Sequence, residues 1–156
     1  MRRDLTTRWG RLLDPLAVLP EYPRPQLVRD SHLSLNGWWE HAITPAGVTP
    51  EAFDGPILVP FSPEAPLSGV GRQLQPDERL TYRRFLELPS GFVPPGGRAL
   101  LHFGAVDQTC TVRLDGVEVG RNAGGYLPFS CDVTAAADGA SHELVVEVRD
   151  LSLIHI

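Results

Sequence analysis

The clearest pattern along this chain is a period-two alternation of apolar and polar residues in its second half. It runs through Arg98 to Phe103, Thr109 to Leu114, Val117 to Gly120 and Glu143 to Arg149. In the last segment Leu144, Val146 and Val148 fall on one face of an extended strand, and Glu143, Glu147 and Arg149 on the other. One face is then core and the other is water. Between the second and third segments stands Asp115-Gly116, a residue pair that accepts the positive φ angles of a two-residue type I′ hairpin turn. Earlier strand candidates are Leu33 to Leu35, Trp39 to Ile43, Ile57 to Pro60 and Leu80 to Leu88.

Fifteen glycines and fifteen prolines punctuate these short runs, and no fixed-period repeat is present. Thr44 to Pro56 and Ser62 to Asp77 are rich in Pro, Gly and Ser and read as loops. Pro15, Pro20, Pro23 and Pro25 restrict the residues before them to extended conformations. Residues 1–24 are therefore expected to form an extended arm, with at most a helical turn near Arg8 to Leu13. About eight short strands with a trace of helix predict an all-β fold, two packed antiparallel sheets forming a jelly-roll β-sandwich over residues 25–150.

A chain of 156 residues suits one domain with a single core. Fourteen basic against nineteen acidic residues give a net charge of −5, which disfavours nucleic acid as a partner. No apolar run approaches the roughly 20 residues needed to cross a bilayer. Arg8, Arg11, Asp14 and Pro15 break any apolar segment behind Met1-Arg2-Arg3, so no membrane association and a cytoplasmic location are expected. Cys110 and Cys131 lack metal-ligand spacing and sit in strand-like apolar surroundings, where buried free thiols are the usual outcome; a disulfide between them remains open. The histidines at 32, 41, 102, 142 and 155 show no ligand spacing, and neither a nucleophile elbow nor a His-Glu-x-x-His motif occurs. No catalytic residue, metal or cofactor is expected.

Several segments, in order, carry a resemblance: Pro25-Gln26-Leu27-Val28-Arg29-Asp30, Leu35-Asn36-Gly37 with Trp39, Val59-Pro60-Phe61, Tyr82-Arg83-Arg84, the Asp115-Gly116 hairpin, Gly124-Gly125-Tyr126-Leu127-Pro128-Phe129 and Asp132-Val133-Thr134. Together they resemble the amino-terminal, galactose-binding-like sugar-binding domain of family 2 glycoside hydrolases, the group of β-galactosidases, β-glucuronidases and β-mannosidases. The resemblance implies a non-catalytic domain of a β-galactosidase-like enzyme that supports the active site of a barrel absent from this chain. Its implied partners are a β-linked sugar bound through the parent enzyme, the parent's immunoglobulin-like and barrel domains, and in some forms a second copy of the chain. Residues 151–156, which include His155, depart from the family pattern and are expected to be a truncation or frame artefact.

Two carboxyl groups flanking the scissile bond usually perform glycoside hydrolysis. The family's paired glutamates, one preceded by Asn, have no counterpart here, since Asn36 and Asn122 precede Gly37 and Ala123. What remains is recognition. A sugar offers hydroxyls at its edges and C–H patches on its faces, so carboxylates beside aromatic rings suit it. Phe61, Glu64, Asp107, Tyr126 and Trp38 fit by residue type as substrate-side or interface contacts. Glu64 lies among Pro60, Pro63 and Pro66, which leave its loop little entropy to lose. Asp107 closes a strand end, Tyr126 is expected in the core or an interface, and Arg83 or Arg84 is suited to pairing a carboxylate across an interface. Trp38 and Trp39 alternate, so Trp39 is expected inside and Trp38 outside. Two other functions fit the same residues: a stand-alone carbohydrate-binding module, or an interaction domain that fixes oligomer geometry.

Overall fold

A computed structural model describes residues 6–22 and 25–150. The expected tail at 151–156, with His155, and residues 1–5 and 23–24 of the expected arm lie outside them. Eight strands run through the described residues: β1 (Gly37–Pro45), β2 (Gly55–Val59), β3 (Glu78–Glu87), β4 (Leu100–Phe103), β5 (Thr109–Leu114), β6 (Val117–Ala123), β7 (Phe129–Asp132) and β8 (Ser141–Arg149). The single α-helical turn among the described residues, α1 (Arg8–Arg11), is capped by the Thr7 hydroxyl, which accepts from the Gly10 amide at 3.1 Å. The fold is an all-β sandwich of antiparallel sheets, as the alternation predicted.

The chain divides into two compact units, one built from residues up to Trp39 together with Pro56–Gln73, the other from Glu40–Gly55 together with Leu74 onward. In the second unit the hydrogen-bonded order is β1-β3-β8-β5-β6, and β4 pairs with β7 in a separate two-stranded sheet. Strand β8 is central: Val146 stands opposite Tyr82 of β3 and Val112 of β5. Leu144, Val146, Val112, Leu114, Leu80 and Leu86 make the buried layer beneath it. Cys131 of β7 packs its sulfur against Gly120 of β6, where a Cβ would have no room. Glycine at 120 is thus what lets the small sheet close on the large one. Both cysteines are buried free thiols, and burial raises their pKa values, so they are protonated and unreactive at neutral pH.

The Asp115-Gly116 turn forms as predicted. Leu114 pairs with Val117, and the two turn residues have φ of 49° and 79°. The register of β5 on β6 slips between Val112 and Arg113, which face Gly120 and Glu118, so Val119 is left over as a bulge. One expectation fails and one strand was not foreseen. Leu33 to Leu35 is not a strand; Leu33 is exposed, and the Leu35 carbonyl is taken by the Trp39 indole N–H at 2.8 Å instead of a ladder. Phe129–Asp132, read only as part of a motif, is a strand that pairs with β4, with the Phe129 and Phe103 rings stacked at 4.7 Å.

In the first unit Trp39 is 7% exposed and Trp38 44%, the inside-outside alternation expected of adjacent strand residues. Trp39→Ala is therefore expected to cost about 3–5 kcal/mol in urea unfolding. Trp38→Ala should cost under about 1 kcal/mol; equal losses at the two positions would contradict this orientation.

Candidate functional site

Three of the five candidate residues belong to the first unit and two to the second. In the first, Glu64 sits exposed in a tight loop, and Phe61 is half-buried. Hydrogen bonds restrain this loop in addition to its prolines. Ser68 is completely buried, and its hydroxyl donates to the carbonyls of Ala65 (2.8 Å) and Pro63 (3.3 Å) while accepting from the Val70 amide at 3.1 Å. The Arg72 amide closes the loop on the Pro63 carbonyl at 2.9 Å. Ser68 is thus a positioning residue that composition did not reveal, because its role depends on carbonyls three and five residues away. Trp38 supplies a half-exposed ring on β1 of the same unit.

In the second unit Asp107 and Tyr126 come from neighbouring loops. The Asp107 carboxylate lies directly against the Gly125 backbone, where any side chain at 125 would collide with it. The Gly124 amide donates to the Gln108 carbonyl at 2.7 Å, and the Asn122 amide group to the Gly124 carbonyl at 3.0 Å. These bonds hold the Tyr126 loop beside the Asp107 loop. Tyr126 is 88% exposed, so of the two settings expected for it, core or interface, it does not take the core. Gly124 at φ 112° and Pro128 turn the chain outward there, so the aromatic ring has nothing to pack on. A carboxylate and an exposed phenol ring on adjoining loops form a rim able to accept from sugar hydroxyls and to cover a C–H face.

The outer face of the large sheet carries two ion networks. Arg83 of β3 meets Glu40 of β1 at 2.7 Å and Glu143 of β8 at 3.4 Å, and its guanidinium stacks on the Phe53 ring at 3.8 Å. Glu147 of β8 accepts from Arg113 at 2.8 Å and from Arg79 at 3.4 Å. The carboxylates that Arg83 pairs with thus come from its own sheet, not from across an interface. Arg84 is half-buried, and desolvation lowers its pKa. The segment from Ala46 to Asp54 folds over this face, pinned by the Ile43 amide donating to the Asp54 carboxylate at 2.8 Å and the Thr44 hydroxyl donating to the Val48 carbonyl at 2.8 Å. It encloses a cleft of about 490 Å³. Thr81 lines that cleft between the two networks, 2% exposed, and its hydroxyl finds no hydrogen-bond partner among the described residues. Burying a hydroxyl unpaired costs about 1–3 kcal/mol.

A third cluster fixes the hairpin. His142 of β8 contacts Asp115 through Nδ1 at 2.6 Å and Asp138 through Nε2 at 2.7 Å. Two carboxylates can only accept, so both ring nitrogens donate and the ring is an imidazolium. Hydrogen bonds that His142 donates to Asp115 and Asp138 raise the His142 pKa, and the same bonds lower those of the two aspartates. Among the described residues no group of three or more His, Cys, Asp or Glu is placed to hold a metal ion. No helix of the described residues is long and apolar enough to cross a membrane.

No family model matches the chain, and no curated protein matches it. Among solved structures it is similar to bacterial β-glucuronidases of glycoside hydrolase family 2. The Faecalibacterium prausnitzii β-glucuronidase is 29% identical with a TM-score of 0.60, over 74% of this chain and 20% of that one. The Bifidobacterium dentium β-glucuronidase, solved with coumarin-3-O-glucuronide, is 29% identical with a TM-score of 0.57, over 73% and 19%. The Ruminococcus gnavus β-glucuronidase bound to D-glucaro-1,5-lactone, at 22% identity and a TM-score of 0.59 over 76% and 21%, shares the fold. This chain spans about a fifth of the length of those proteins. The resemblance carried by the sequence motifs and the likeness in structure lead to the same family.

Protonation of the His142 cluster gives a signed pH dependence. The raised histidine contributes stability that is fully present below its unfolded pKa, roughly 6.5, and lost as pH rises through the folded value. The lowered aspartates contribute above their unfolded pKa, roughly 3.9, and lose it as pH falls through their folded values. Thermal melts of wild type and His142→Gln should differ most between about pH 4 and 6.5 and converge at higher pH; a difference that grows above pH 8 would contradict the cluster. Gly125→Ala should displace Asp107, read as chemical-shift changes at residues 106–108 with the sheet amides unmoved.

Proposed function

We propose that this chain is a non-catalytic domain of a family 2 β-glycosidase and that it supports an active site carried elsewhere in a longer protein. The observation that carries this is the 29% identity over about three-quarters of the chain to a β-glucuronidase of which it spans a fifth. The residues agree with it. They include paired carboxylates, but each of those on the sheet face is neutralised by an arginine at 2.7–3.4 Å, an arrangement unlike the acid and nucleophile of glycoside hydrolysis. The motifs resemble β-galactosidase-like enzymes, whereas the similar solved structures are titled β-glucuronidases; we take a β-D-glucuronide as the parent's substrate class.

Within that reading Asp107 and Tyr126 form a substrate-side or interface rim on one unit, and Glu64, Phe61 and Trp38 are separate substrate-side or interface candidates on the other. Fold does not fix activity, so the site must be tested directly. The 156-residue chain should show no turnover of aryl β-D-glucuronides or β-D-galactosides, while the parent protein hydrolyses the glucuronide. Asp107→Asn in the parent should lower kcat/KM about 10-fold, ~1.4 kcal/mol of transition-state stabilisation, with the melting temperature unchanged. Turnover by the isolated chain, or a parent that prefers galactosides, would overturn the proposal.

A further inference from the structure

His142 stands between two carboxylates that are anchored very differently. Its Nδ1 lies 2.6 Å from Asp115 and its Nε2 2.7 Å from Asp138, and the ring is 12% exposed while both carboxylates reach water. Asp115 is fixed to β8 without help from the ring. Its amide donates to the Glu143 carbonyl at 2.9 Å, and its second carboxylate oxygen accepts from the Glu143 amide at 2.8 Å. The further bond of Asp138 is internal to its own loop: the same oxygen that meets His142 accepts from the amide of Ala140, two residues on, at 2.8 Å. The 3-10 turn Thr134–Asp138 is secured at its start, where the Ala99 amide donates to the Thr134 hydroxyl at 3.1 Å, the Val133 amide donates to the Ala99 carbonyl at 3.0 Å and Ala136 is fully buried. Its far end is different. Ala137 leaves helical geometry at φ −89° and ψ 15°, Gly139 has φ 81°, and residues 137–140 are all exposed. The third element beside His142 is β3, which presents the uncharged Leu86 opposite it; the ionisable neighbours on that strand, Glu87 and Arg84, stand opposite Ser141 and Leu144. On β8 itself the adjacent Glu143 carboxylate is paired with Arg83.

We propose that His142 is a proton-operated latch: protonated, it docks the Asp138–Ala140 link onto the β5–β6 turn, and on losing its proton it releases that link while the turn stays shut. A neutral imidazole has a single N–H and can donate to only one of two carboxylates. The other then faces a ring lone pair, and the two aspartates, no longer bridged by a cation, repel each other. The anchoring decides which one leaves. Asp115 is held in place by Glu143, so the remaining proton stays on Nδ1; Asp138 loses its bond and moves off with Gly139 and Ala140 about Ala137. The direction of the switch follows from the same contacts. Both carboxylates raise the histidine above its ordinary value of roughly 6.5, so the latch is closed below that pH and opens as pH rises through the folded value. The inference rests on the geometry of this chain and is independent of the glycosidase reading.

The test is NMR of the 156-residue chain labelled with ¹³C and ¹⁵N, titrated from about pH 5.5 to about pH 9.5, a window that spans the ordinary histidine value. The ring nitrogen shifts of His142 should pass from imidazolium to the Nδ1–H tautomer. With the same midpoint, backbone order parameters from ¹³Cα relaxation at 138–140 should fall from about 0.85 to below about 0.6, while those at 115–117 stay near the rigid value. Asp138→Ala should leave 138–140 mobile at every pH with the turn still rigid, and His142→Gln, which has no titrating group, should abolish the pH dependence. Order parameters at 138–140 that stay constant through the wild-type titration would overturn the proposal. So would loosening of the turn together with the link, a neutral ring protonated on Nε2, or a wild-type pH response in Asp138→Ala. The wild-type titration decides the matter even if a variant fails to fold.

Discussion

Strand β8 has to satisfy two sets of neighbours at once. Its backbone pairs with β3 on one edge and β5 on the other, so every amide and carbonyl in its middle is committed to the ladder. Its side chains then have only two directions to take. Leu144, Val146 and Val148 enter the core, and Glu143, Val145 and Glu147 are delivered to the outer face, opposite Phe85, Arg83 and Thr81 of β3. A slip of one residue would send the carboxylates inward and the apolar row to water. Both the packing below the sheet and the charge pattern above it follow from that single register.

The charged face illustrates how pairing shapes what a sheet can offer. Exposed ion pairs contribute only ~0–1 kcal/mol each, so these networks are not needed for stability. Their effect is geometric: each guanidinium and carboxylate is held at a fixed height and orientation above the strands by its opposite number on the next strand. Arg83 shows this most fully, clasped by Glu40 and Glu143 and flattened on Phe53. The Thr81 hydroxyl, without a partner among the described residues, is the exception in the midst of so many satisfied groups.

Much of the architecture was legible in the sequence because it is written in local pattern. The Leu144-Val146-Val148 row, the Asp115-Gly116 turn and the opposed orientations of Trp38 and Trp39 each depend on residues adjacent in the chain. What was missed depends on distance. Phe129–Asp132 is only four residues long and follows Pro128, so its strand character rests on β4, about 30 residues earlier. Tyr126 was expected by type in the core or an interface, and the glycines before it direct it outward, away from the core. The partners of Arg83 and the isolation of Thr81 follow from which strands lie side by side, and no period or motif encodes that. Among the candidate contacts, Asp107 and the Tyr126 loop came together only through Gly125, whose missing side chain makes the approach possible.

The central place of β8 has a consequence for biosynthesis. This strand is the last of the eight to be made, yet β3 and β5 have no direct partner in each other and meet only through it. While the ribosome is still translating the segment before Ser141, those two strands have unsatisfied edges that invite pairing with other nascent chains. The β1-β3 and β5-β6 parts of the large sheet can pair before β8 is made, but they become one sheet only when β8 lies between them. A chain ending upstream of β8 would leave those two parts unjoined, each with an open strand edge of the kind that invites pairing with other chains.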